Sequence, residues 1–141
     1  MSNVKERNYL VGLLAENHKL SENVGGAFGS PGQKTDIQFY DRLDQQLHAV
    51  FCAIDAIGYP DKLKCLIETM MITDYHVILI DLEKGINAAI GEIIVAMDYF
   101  VSYYNVKPFI VIGNINEKTE YNLENLKKIL NKLISNTALK D

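Results

Sequence analysis

The side chains with chemistry to offer gather at the ends of apolar runs. Leu47 to Ile54 is one such run and reads as a buried strand; Asp55-Ala56-Ile57-Gly58-Tyr59-Pro60-Asp61 follows it directly, so a carboxylate closes the strand and a glycine stands three positions on. Near the N-terminus, Gly12 is followed at five, six and seven positions by Asn17, His18 and Lys19. A loop that cradles phosphates reads G-x-x-x-x-G-K-S/T, because glycine amides wrap the phosphates, the lysine pairs with the β and γ oxygens and the hydroxyl holds Mg²⁺. Asn17, His18 and Lys19 stand where Gly, Lys and Ser/Thr belong. A one-residue shift brings Lys19 to the lysine position and Ser21 offers a hydroxyl, but no shift restores the whole set. A solvated turn leading into a helix is the plainer reading, since only Gly12 of the nest glycines is present.

No other constellation competes. Cys52 and Cys65 form no Cys-x-x-Cys pair, and His18, His48 and His76 are scattered singly, so neither a disulfide framework nor a zinc site is expected. No catalytic residue is assigned.

The elements that must position these residues fit one domain. At 141 residues and 48% hydrophobic content the chain can bury a core of its own. A net charge of −4 does not support nonspecific nucleic-acid or membrane binding. The polar start from Met1 to Arg7 has no signal-peptide core, and no apolar run approaches membrane-spanning length, so a cytoplasmic protein is expected.

Strands and helices alternate as in a βαβ sheet. Tyr9 to Leu14 reads as a strand, followed by a polar segment with a glycine-rich loop, Gly25 to Gly32. Thr35 to Asp41 alternates about Ile37 and Phe39, and forms a hairpin with Leu47 to Ile54 across Arg42 to Gln46. Asp61 to Met71 has helical spacing at Leu63, Leu66, Ile67 and Met70. Tyr75 to Ile80 reads as an apolar strand of the kind found in doubly covered parallel sheets. A helix from Asn87 to Tyr104 carries Ile90, Ile93, Ile94, Met97, Phe100 and Val101 on one stripe. Pro108 to Ile112 is a further strand. Leu123 to Ile134 is a helix with Leu123, Leu126, Leu130 and Leu133 inward and Glu124 paired with Lys128 outside. The tyrosines of the long helix lack interleaved basic residues and read as core or surface, not as a base-stacking platform. Five strands are expected, one hairpin antiparallel and the rest parallel. Ligands of such sheets bind beyond the carboxyl ends of the strands, where Gly12–Lys19, Asp55–Asp61, Asp81–Gly85 and Gly113–Asn116 fall.

With those segments in order, the chain from about Tyr9 to Asp141 resembles the G domain of translation elongation factors. It is most similar to the selenocysteine-specific factor and its methanogen relatives, including the pyrrolysine-associated paralogue. Asp55 to Asp61 stands where that family has D-x-x-G-H-x-D, and Ile80-Asp81-Leu82-Glu83-Lys84-Gly85 is similar to its V-D-x-x-x-G. Gly85 to Glu92 with Ala96-Met97-Asp98 resembles the helix that follows, and Val106 to Val111 the strand leading to the guanine motif. The resemblance implies an α/β, P-loop NTPase-like, doubly wound, mostly parallel sheet with one antiparallel hairpin. It also implies that the family's last strand and helix are lacking, and that residues 1–141 form a single degenerate G domain. The nucleotide-site positions it carries over are Gly12, Asn17, His18, Lys19, Asp55, Gly58, Asn114 and Asn116, with Asp55 as the Mg²⁺ position.

Departures from the family pattern shape the functional expectation. Its N-K-x-D guanine motif stands here as Gly113-Asn114-Ile115-Asn116. Where the family aspartate accepts two hydrogen bonds from guanine, Asn116 has one acceptor oxygen and opposes a base donor with its amide. That exchange costs on the order of 2–4 kcal/mol. Tyr59 replaces the histidine that orients the attacking water. The expectation is a binding or regulatory module linked to translation that has lost GTP hydrolysis and most GTP binding. The alternatives are an atypical nucleotide-binding GTPase and the inactive product of a truncated gene. No tightly held cofactor is expected; GTP, GDP and Mg²⁺ are expected as weak ligands at most. A protein partner or self-association is expected through the apolar run Phe109 to Ile112, with the translation machinery as one source of partners and no membrane.

Overall fold

The computed structural model describes residues 7–32 and 36–139. Six strands form one sheet in the order β2-β3-β4-β1-β5-β6: β1 Arg7–Ala15, β2 Ser30–Pro31, β3 Gln38–Asp44, β4 Ala49–Asp55, β5 Tyr75–Asp81 and β6 Lys107–Gly113. β1 pairs in parallel with β4 and β5, and β5 with β6; β3 runs antiparallel to β4, and the two-residue β2 antiparallel to β3. The doubly wound, mostly parallel sheet with its hairpin is thus as expected, with the sixth strand an addition. Thr35, the expected start of β3, lies outside the described residues, and Leu47 sits in the exposed turn before β4.

Helices α2 (Leu63–Ile72), α3 (Ala88–Tyr104) and α4 (Leu123–Ile134) cover one face, closing a core around Leu14, Ile78, Ile80, Leu66, Met70 and Met97. Helix α1 (His18–Phe28) covers the other face over β4 and β1, where Leu20 meets Leu13, Ala53 and Leu79. β5 is covered on both sides, with Ile78 and Ile80 in one core and Val77 and Leu79 in the other, which is why its apolar run from Val77 to Ile80 shows no alternation. α3 starts at an Asn87 cap whose Oδ1 accepts from the Ile90 amide at 3.1 Å, and stops at Asn105 in the left-handed conformation.

Four local expectations are corrected. Gly25 and Gly26 lie inside α1, not in a loop. A Cβ at Gly25 would fall 2.4 Å from the Tyr40 ring, so glycine serves close packing there. β3 buries Gln38 and Tyr40 and exposes Phe39, because Tyr40 is the side chain that faces α1. In α4 the inward stripe is Leu126, Leu130 and Ile134 while Leu133 is exposed; Glu124 pairs with Lys127 at 3.4 Å, not with Lys128. α2 begins at Leu63, which is exposed, two residues after the expected start at Asp61. Among the described residues no helix is long and apolar enough to cross a membrane.

Candidate functional site

The carboxyl ends of β1, β4, β5 and β6 bring Asp55, Asp81 and the segment after Gly113 to one edge of the sheet, beside the start of α1. β1 continues to Ala15 and α1 begins at His18, so only Glu16 and Asn17 connect them. Gly12 therefore does not open a loop. It lies within β1, opposite Ile54 and His76, and a Cβ on it would come 2.9 Å from Thr73 Oγ1, so it makes room for the end of α2.

Asn17 caps α1. Its Oδ1 accepts from the Lys19 amide at 3.1 Å, satisfying with the protein's own side chain a helix N-terminus that elsewhere would take an anion. Its Nδ2 donates to Asp81 Oδ2 at 2.7 Å. Asp81 also accepts from the Asn114 side chain and, through Oδ1, from the Glu83 amide at 2.9 Å. Burial alone would raise the Asp81 pKa; the bonds from Asn114, Asn17 and Glu83 and the nearby Lys84 outweigh it and hold the carboxylate below its ordinary range. One carboxylate thus ties together the ends of β1, β5 and β6.

Asp55 is fully buried. Ser21 Oγ donates to its Oδ2 at 2.7 Å and also approaches the His18 carbonyl at 3.0 Å. His18 bonds the Tyr59 carbonyl through Nε2 and sets Nδ1 3.8 Å from Asp55 Oδ1. That carboxylate is the main reason the His18 pKa is raised; burial works against it, and the Tyr59 carbonyl adds to it. The Gly58 amide donates to the Asp36 carbonyl at 2.8 Å, and a Cβ on Gly58 would meet Cys65 Sγ at 2.5 Å. The Tyr59 hydroxyl donates to the Ala89 carbonyl at 2.9 Å inside the core, and burial pushes the phenol up to about 12. Asn116 turns its Oδ1 onto the Lys118 and Thr119 amides at 2.8 and 3.2 Å, closing a local turn. Lys19 is exposed on the first turn of α1.

The sequence-derived positions Asn17, His18, Asp55, Gly58 and Asn114 are therefore gathered at one edge, Gly12 lies back within the sheet, and Asn116 faces its own loop. Sequence reasoning missed Glu16, which accepts from the Asn87 side chain. It also gave Ser21 no partner. Asn87 carried a signal in its position as a cap before an apolar run; Glu16 carried none. A Mg²⁺ ion needs several oxygen ligands in near-octahedral array. Asp55 has one oxygen engaged by Ser21, and no group of three acidic, His or Cys side chains able to hold a metal occurs among the described residues. The connection from β1 to α1 is two residues long, and Asn17 within it is the cap of α1.

The sequence matches no protein-family model. Over 120 residues it is 33% identical to an uncharacterised protein of Methanocaldococcus jannaschii, covering 85% of this chain and 33% of that protein. Among solved structures it is similar to translation elongation factor SelB of Methanococcus maripaludis in its apo form, with a TM-score of 0.71 over 98% of this chain and 30% of that one, at 19% identity. The chain spans about a third of the length of these two proteins. The fold is similar to that of a SelB G domain.

Proposed function

We propose that this protein is a translation-factor-like G domain that works as a binding module and neither hydrolyses GTP nor holds it firmly. The observation that carries the reading is the connection from β1 to α1: two residues long, its Asn17 spent on capping α1 and on Asp81. An amide and a hydroxyl of the kind that phosphoryl transfer employs are here spent on the protein's own groups. Gly58 donates to Asp36, Ser21 to Asp55, and Tyr59 reaches Ala89 in place of a water.

Binding surface is instead offered by the sheet. β6 is an edge strand with Phe109 and Val111 exposed, and with Val11 and Val77 these border an apolar cavity of about 360 Å³ beside α1. An unpaired apolar edge next to an uncovered face suits a protein partner that adds a strand and a helix, and the SelB-like fold makes a component of the translation machinery the first candidate. A single-turnover GTPase assay tests the central part of the reading: release of phosphate should equal the uncatalysed background. Turnover above background that Asp55→Ala abolishes would refute it.

A further inference from the structure

On the face of the molecule away from α1, helices α2 and α3 leave an apolar surface that the proposed function does not use. Its ridge is Val95, Tyr99 and Tyr103 at helical spacing along α3; Met71 and Ile72 at the end of α2, with Tyr104, complete it. These six side chains are between 51% and 74% exposed. The tyrosines form one cluster, with ring centroids 5.1 Å apart for Tyr99 and Tyr103 and 5.9 Å for Tyr99 and Tyr104. Beside the ridge runs a groove of about 560 Å³ between the two helices, floored by Met70, Ala96 and Phe100.

Charge is scarce there. The exposed Asp74 borders the groove past the end of α2, and the 17 residues of α3 include two charged side chains, Glu92 and Asp98, of which Asp98 is engaged by the Ala138 amide at 2.8 Å. A solvated helix face ordinarily carries charge.

We propose that this face is the interface of a homodimer, in which the Val95–Tyr99–Tyr103 ridge of each copy enters the α2/α3 groove of the other about a two-fold axis. Two features select a second copy of this chain as the occupant. With about 200 Å² for a large side chain, the observed exposures leave on the order of 700 Å², close to the roughly 800 Å² that each partner contributes to a standard interface and above the apolar patch a monomer usually shows. Ridge and groove also lie side by side on one surface, as an isologous contact requires, since the same patch must supply both halves. Rich in Tyr and Met and poor in charge, the patch has the composition of an interface core.

Sedimentation of the purified chain at tens of micromolar tests this. The expected mass is twice 15.9 kDa. Val95→Lys/Tyr103→Lys, which places two ammonium groups in the buried ridge, should raise the dissociation constant by on the order of 100-fold and yield a monomer. Phe109→Lys, on the β6 edge, should leave the dimer intact. Should the double variant misfold, amide NMR shifts of the wild-type chain on dilution decide instead, and they should be confined to α2 and α3. A wild-type monomer at this concentration, including one that captures only a different protein, overturns the proposal. So does a dimer that survives the double substitution or dissociates with Phe109→Lys, or dilution shifts centred on β6. None of these results bears on nucleotide binding, so the interface and the proposed function stand or fall separately.

Discussion

Removing one hydroxyl should reveal how tightly the carboxyl edge is closed. Ser21 and Asp55 are both fully buried, and their 2.7 Å bond spans α1 and β4. Ser21→Ala deletes a hydrogen bond to a charged acceptor, a contribution of about 1.5–3 kcal/mol, and strands one oxygen of a buried carboxylate, which adds roughly 1 kcal/mol more. Asp55 Oδ1 has no hydrogen-bond partner either, so the carboxylate would keep only the His18 ring, 3.8 Å away. A total loss of about 2.5–4 kcal/mol is expected, or roughly 10 °C in melting temperature for a domain of this size. Urea unfolding of wild type, Ser21→Ala, Asp55→Asn and the double variant forms a cycle, and the coupling should be about 2 kcal/mol. A loss under about 1 kcal/mol with no coupling would mean that water reaches Asp55, and the picture of an edge sealed by its own side chains would fail.

Three further outcomes follow from the geometry. His18 has a folded pKa above the ordinary value, so the stability it contributes is complete below pH of about 6.5 and fades as pH rises through the higher folded value; the wild-type advantage over His18→Gln in urea should shrink from pH 6 to pH 9, and a constant or growing advantage would contradict the Asp55 contact. Two neighbouring glycines should respond with opposite sign: Gly25→Ala drives a Cβ into the Tyr40 ring and should cost about 1–3 kcal/mol, whereas Gly26→Ala meets nothing within 4 Å and should gain about 0.5–1 kcal/mol from helix propensity, both read by thermal melts. Asn17→Gly, His18→Lys, Lys19→Thr and Asn116→Asp made together should fail to confer GTP binding in a fluorescent-nucleotide titration, because they restore residue types to a two-residue connection without lengthening it.

What was legible in the sequence had a period. The stripe of α3 and the apolar run Val77 to Ile80 of β5 placed the doubly covered sheet, and the carboxylates closing β4 and β5 placed the candidate edge, because these patterns report burial directly. Glycines misled where they were taken as breakers: Gly25 lies in a helix, and glycine stands there because Tyr40 needs the space, a contact between residues fifteen apart in sequence. In β3 the alternation was visible but its facing was not, since Phe39 is as apolar as Tyr40 and only the position of α1 decides which is covered. The site was half visible. Spacing from Gly12 identified Asn17, His18 and Lys19 as a departure from a phosphate loop. That β1 runs on past Gly12 to Ala15, leaving two residues of connection, is set by pairing with β4 and β5, which local patterns do not report. The bonds from Ser21 to Asp55 and from Asn17 to Asp81 join residues 34 and 64 positions apart and are properties of register alone.

The central claim is that the edge which would hold a nucleotide is filled by the protein's own hydrogen bonds. Isothermal calorimetry of the purified chain with GTP and Mg²⁺ addresses it without substitution. The expected result is no saturable heat below about 10 μM, in keeping with the loss of the charged and bidentate contacts that nucleotide grip requires. Stoichiometric GTP binding tighter than that, weakened by Asp55→Ala, would contradict the account.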